Sequence, residues 1–172
     1  MPDKSKLGQV HVFWGNGKGK TTSALGTALR ACGNGFSVHL VQFMKDGAPS
    51  LEQQIPGEIL SLSKFENFSY ARFGTGNWVI GKKPKEEHIR KIEEGLNHLE
   101  KAIQNEKYDI IIADEILYAV QLSLLEENKI IEIIKNKPKE KELILTGSHK
   151  PLPNIFELAE LVTEIKKIKH PY

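Results

Sequence analysis

Two spacings of apolar residues alternate along this chain. Short blocks that are apolar at nearly every position, Val10–Trp14, Ser37–Phe43 and Leu143–Gly147, predict strands buried on both faces. Tyr108–Glu115 is a fourth such block, with its last two positions acidic. Asn67–Phe73 alternates aromatic and polar residues in the period of two of a strand with one exposed face. Between these blocks the period lengthens. Ala24, Leu25, Ala28, Leu29 and Ala31 mark the apolar side of a helix over Lys20–Cys32 that Gly33 and Gly35 stop. From Pro84 to about Asn105, Ile89, Ile92, Leu96, Leu99 and Ile103 recur at three- and four-residue steps, which predicts an amphipathic helix lying on a sheet.

Further helices are expected from near Ile116 and over Ile130–Ile134, the latter closed by the solvated run Lys135–Lys141. A short helix over Leu152–Leu161 and a last strand over Val162–Ile168 complete the series. Lys45–Gly57, with Gly47, Pro49 and Pro56, reads as a long loop. Strands alternating with helices specify an α/β fold: a doubly wound, mainly parallel sheet in a three-layer, RecA-like arrangement. The expected organisation is a flexible N-terminal segment, 1–9, followed by one domain over 10–172. A length of 172 residues suits a single core of this kind.

Charge and composition narrow the function classes. Lysines are scattered among glutamates and the net charge is only +2, so no basic stripe for nucleic acid is present. The single cysteine, Cys32, can form neither an internal disulfide nor a zinc site. Met1–Leu7 is polar and lysine-rich, and no apolar run reaches membrane-spanning length. A cytoplasmic protein is expected.

The candidate chemistry begins where the first strand gives way to the first helix. Gly15–Asn16–Gly17–Lys18–Gly19–Lys20–Thr21–Thr22 follows an apolar strand and opens an Ala/Leu helix, so it reads as a polyphosphate cradle. Glycines let amide N–H groups converge, Lys20 adds a cation, the helix brings its positive dipole end, and the Thr21 hydroxyl is placed to ligate magnesium. Only three residues separate Gly15 from Gly19, where the usual loop has four, which weakens the reading of an ordinary kinase or ATPase. A ligand-free glycine turn is the bland alternative.

Asp114 and Glu115, at the end of an apolar strand, are the natural carboxylates for the same metal, although they can also be read as capping the helix near Ile116. If the strand runs through both, side-chain alternation turns only one of them to the nucleotide. Gln42 and Lys45 lie at and beyond the end of the second strand, where ligand contact and simple solvation are both open. The six histidines show no catalytic spacing.

The short loop GNGKGKTT, the following VQFMK, the Gly74–Thr75–Gly76 turn with its aromatic Trp78, DEILYAV, and the closing ELVTEIKKIKHPY together make the chain similar to the P-loop corrinoid adenosyltransferases, from about Val10 to Tyr172. That resemblance implies transfer of the 5′-deoxyadenosyl group of ATP to the cobalt of a reduced corrinoid, cob(I)alamin or a related one, with release of triphosphate, in adenosylcobalamin synthesis or salvage. It implies that ATP lies in the direction opposite to that in most P-loop proteins. Carried over, Gly15, Asn16, Gly17, Lys18, Gly19, Lys20, Thr21 and Thr22 would clasp the triphosphate. Thr21 and Glu115 would hold magnesium or manganese, with Asp114 behind them, and Lys20, Thr21 and Glu115 would form the catalytic set. Trp78 would be an aromatic wedge that removes the corrinoid's lower ligand. The family's turn usually carries Phe and Trp two residues apart where this chain has Asn77 and Trp78, and commonly has arginine where this chain has Ser148, leaving His149 or Lys150 as substitutes. A homodimer and a reductant such as a flavodoxin are the partners implied. A P-loop hydrolase or kinase stays open, and so does a nucleotide- or corrinoid-binding module without turnover.

Overall fold

The computed structural model describes residues 2–45, 55–75 and 86–169. Its strands are β1 (Val10–Trp14), β2 (Val38–Phe43), β3 (Phe68–Phe73), β4 (Ile110–Asp114), β5 (Glu142–Thr146) and β6 (Leu161–Glu164). Its helices are α1 (Lys20–Gly33), α2 (Gly57–Leu62), α3 (Glu86–Gln104), α4 (Ile116–Gln121), α5 (Glu127–Asn136) and α6 (Pro153–Phe156). All strand pairs are parallel, in the order β3-β2-β4-β5-β1-β6. The expected doubly wound α/β architecture is therefore present.

Strand alternation distributes the core to two sides. Ile110 and Ile112 of β4 join Ala24, Leu25 and Ala28 of α1 on one face, with Ile59 and Leu62 of α2. Ile111 and Ala113 point the other way, into a cluster with Ile92 and Leu99 of α3, Ile116 of α4 and Ile130 of α5. Helices thus cover both faces of the sheet, which is why β2, β4 and β5 are buried at every position and read as largely apolar blocks.

Where the structure departs from the sequence reading, pairing demands explain it. Of the stretch read as a loop, residues 46–54 lie outside the described residues; it leads into α2, an element the sequence reading did not name, whose Ile59 and Leu62 supply a three-residue apolar step after Pro56. The last helix is a single turn, because Glu160 already exchanges hydrogen bonds with Val10: its amide donates to the Val10 carbonyl, and its carboxylate accepts from the Val10 amide. Paired to β1, the chain must be extended from that point. Strand β6 stops at Glu164, and the following residues turn along the glycine loop. Ahead of β1, Glu142 accepts the Gly8 and Gln9 amides at 3.1 Å each, and Lys4 pairs with Asp109 at 2.6 Å.

Candidate functional site

The glycine loop joins β1 to α1 at the carboxyl end of the sheet, where a parallel α/β fold gathers its ligand loops. Gly15 and Gly19 adopt φ of 111° and 117°, conformations that side chains resist. Space is a second constraint at Gly15, where a Cβ would lie 2.4 Å from the Ile165 carbonyl oxygen. The chain beyond β6 is bound to this loop, the Gly17 amide donating to Ile165 O at 2.7 Å and the Lys167 amide to the Asn16 side chain at 2.9 Å; from the turn after β5, Ser148 O accepts the Gly15 amide at 2.9 Å. Gly15 and Gly17 amides therefore shape the loop from behind. Lys20 is 8% exposed and folds back so that its ammonium donates to Gly15 O at 2.7 Å and Gly17 O at 2.9 Å. Burial pulls its pKa below the usual lysine value, with Glu115 opposing that shift.

Strand order explains how the acids reach the loop. β4 is separated from β1 by β5 alone, and Thr146 at the end of β5 bridges the gap. Its hydroxyl donates to Asp114 Oδ1 at 2.6 Å and accepts the Glu115 amide at 2.9 Å. Asp114 is fully buried. It also accepts from the Thr21 hydroxyl at 2.8 Å, the Gln42 amide at 3.0 Å and the Lys45 ammonium at 2.8 Å. A buried carboxylate with so many donors is a fixed anchor for the residues that surround it.

Glu115 does not continue the strand. Its φ of 64° turns the chain, so the alternation expected to separate the two acids ends at Asp114 and both stay at the site. Glu115 precedes α4 but makes no side-chain cap hydrogen bond, which removes the reading of the acids as helix caps. It instead lines the cavities, with Lys45 3.7 Å away. Burial raises its pKa above the usual glutamate value, partly offset by Lys45.

Two cavities meet here. One follows the glycine loop past Asn16, Gly19, Thr21 and Thr22; the other is mainly apolar, walled by Met44, Phe73, Ile92, Tyr118, Leu122 and Leu124. Lys20, Glu115 and His149 line both. His149 lies against Tyr118, ring centroids 5.0 Å apart, and burial followed by the Lys20 charge lowers its pKa. Of the two substitutes considered for the missing arginine, His149 is thus the one at the junction. Gly74 and Thr75 reach the apolar cavity, while Trp78 lies outside the described residues.

The sequence reading brought Lys20, Thr21, Asp114 and Glu115 together, as the structure does, but it missed Thr146 and left Gln42 and Lys45 open. A threonine closing a buried strand beside a glycine was the only local signal for Thr146.

Comparison with known families matches residues 6–172 to the ATP:corrinoid adenosyltransferase family BtuR/CobO/CobP. The chain belongs to that family. Among similar curated proteins, the corrinoid adenosyltransferase of Escherichia coli K12 is 31% identical over 171 residues, covering 98% of this chain and 82% of the relative. The corrinoid adenosyltransferase CobA of Salmonella typhimurium LT2 is 30% identical over 172 residues, with the same coverage of each. That of Pseudomonas aeruginosa PAO1 is 29% identical over 171 residues, covering 98% and 80%.

Proposed function

We propose that this chain is an ATP:corrinoid adenosyltransferase serving adenosylcobalamin synthesis, with the triphosphate held at the glycine loop and the reacting sugar carbon turned toward the apolar cavity. The observation that carries the reading is the shared wall of Lys20, Glu115 and His149 between an anion cradle and an apolar chamber. In the reaction, the electron pair of Co(I) forms a bond to C5′ of ATP while the C5′–O bond breaks and its electrons leave with the triphosphate. So strong a nucleophile needs no general base, in keeping with a site whose buried groups are donors and anchors.

The chain's work is alignment and charge relief. The Lys20 ammonium exchanges the Gly15 and Gly17 carbonyls for phosphate oxygens, and the first amides of α1 face the same charge. Thr21, Glu115 and Asp114 offer a hydroxyl and two carboxylates within reach of one cation, a donor set of hard oxygens that fits magnesium or manganese. A divalent ion bound there supplies further neutralisation of the leaving triphosphate. Met44, Phe73 and Leu122 keep water from the reacting carbon.

Trp78, three positions after Thr75 in the sequence, is the proposed wedge that strips the corrinoid's lower ligand and eases reduction. Trp78→Ala is expected to spare ATP binding and to slow adenosylation that starts from oxidised corrinoid plus reductant. The family resemblance also supports a homodimer, a flavodoxin-like reductant and a cytoplasmic setting. Mixing the protein with ATP, magnesium and chemically reduced cobalamin tests the reading. Triphosphate and the light-sensitive alkylcobalamin spectrum are expected; release of ADP and phosphate alone would point to a hydrolase.

A further inference from the structure

The Lys45 ammonium occupies an unusual position for a residue two steps past a strand end and 30% exposed. It donates to Thr21 Oγ1 at 2.9 Å and Asp114 Oδ2 at 2.8 Å, and stands 3.7 Å from Glu115 Oε1. Those are the oxygens assigned above to the divalent ion. We infer that Lys45 is a tethered stand-in for that ion: without nucleotide it neutralises the ligand oxygens and excludes free metal, and it gives way when the cation arrives on triphosphate.

Electrostatics gives the inference its direction. Two carboxylates close together, one of them fully buried, cannot both stay ionised cheaply without a cation beside them. A free divalent ion must displace the resident ammonium and gains only the oxygens that Lys45 gives up. An ion already carrying triphosphate brings further anionic oxygens, and these offer the displaced ammonium a new partner. Metal uptake and nucleotide uptake thus become mutually dependent, a coupling between two ligands through one side chain. Lys45 is a positioning residue in this scheme, and the scheme rests on the metal assignment in the proposed function.

The test is Mn2+ binding, followed by electron paramagnetic resonance, to unmodified protein and to Lys45→Met and Lys45→Arg. Unmodified protein is expected to bind Mn2+ alone weakly and at least tenfold more tightly when tripolyphosphate is added. Lys45→Met is expected to bind Mn2+ alone at least tenfold more tightly than unmodified protein, and to gain melting temperature from Mn2+ alone; Lys45→Arg, which keeps the charge, should match the unmodified protein. Equal Mn2+ affinity of Lys45→Met and unmodified protein overturns the inference. Tight binding of Mn2+ alone by unmodified protein, abolished in Glu115→Gln, overturns it too, even if Lys45→Met does not fold. A failure of the metal assignment itself looks different: Mn2+ uptake with tripolyphosphate is then unchanged by Glu115→Gln.

Discussion

Strand β4 carries a buried aspartate at each end, and the two serve opposite purposes. Asp109, just before the strand, accepts the Ser37 amide at 2.8 Å and the Ser37 hydroxyl at 2.9 Å, and pairs with Lys4 at 2.6 Å. Asp114, at the other end, is held by Thr21, Thr146, Gln42 and Lys45. The chemistry of the two carboxylates is the same. What differs is where the donors lie: Asp109 ties Ser37 and Lys4 together at the end of the sheet away from the glycine loop, whereas Asp114 gathers side chains that border the two cavities beside that loop. A buried, satisfied carboxylate is therefore evidence for function only when its donors can be exchanged for a ligand's.

The comparison can be broken by substitution. The largest effect is expected from Asp114→Ala, which unmoors Thr21 and Lys45 together; adenosyl transfer should fall by a factor of roughly 100–1,000, with about 1–3 kcal/mol of stability lost. Asp109→Ala should lose about the same 1–3 kcal/mol in denaturant unfolding while kcat and KM for ATP stay unchanged. Equal losses of activity in both variants would erase the distinction. Lys20→Ala separates the loop from its anchor: ATP affinity should drop about 100-fold, equivalent to about 2.7 kcal/mol, with Tm moved by less than about 4 °C. Calorimetric titration with ATP and a thermal scan measure the two quantities.

The smallest effect is a contrast in pH dependence. Burial works to raise the Asp109 pKa, but the hydrogen bonds from Lys4 and Ser37 outweigh it and hold the carboxyl below the usual aspartate value of 3.8. Its contribution is thus complete above that value and lost as pH falls through the lower, folded-state pKa. Glu115 has the opposite sign: burial raises it above 4.5, so its ionised form costs stability above the folded-state pKa, and the cost disappears below 4.5. Glu115→Gln should therefore raise Tm at pH 7 by about 1–4 °C while weakening metal-dependent turnover, a gain in stability set against function. A fall in Tm at pH 7 would contradict the assigned sign.

Most elements were legible because the two periods are local. The step of Ile92, Leu96 and Leu99 declares α3 without reference to anything distant, and the apolar run Ile110–Ala113 declares β4. The glycine loop was legible for the same reason, since its residues act as neighbours in sequence. Thr146 was not, because its role depends on β5 lying between β1 and β4, and strand order is written in no single segment. Nor was the turn at Glu115, where a left-handed conformation falls on a residue type that gives no warning of it. Lys45 could be located beside the site but not assigned a partner, since its contacts come from α1 and β4.

The direction of the nucleotide is the central claim, and a crystal structure of the protein with magnesium and a nonreactive ATP analogue tests it most directly. The account predicts triphosphate oxygens at Lys20 and Thr21, with C5′ facing the chamber walled by Met44, Phe73 and Tyr118. A terminal phosphate facing that chamber, with the ribose on the far side of the loop, would contradict it.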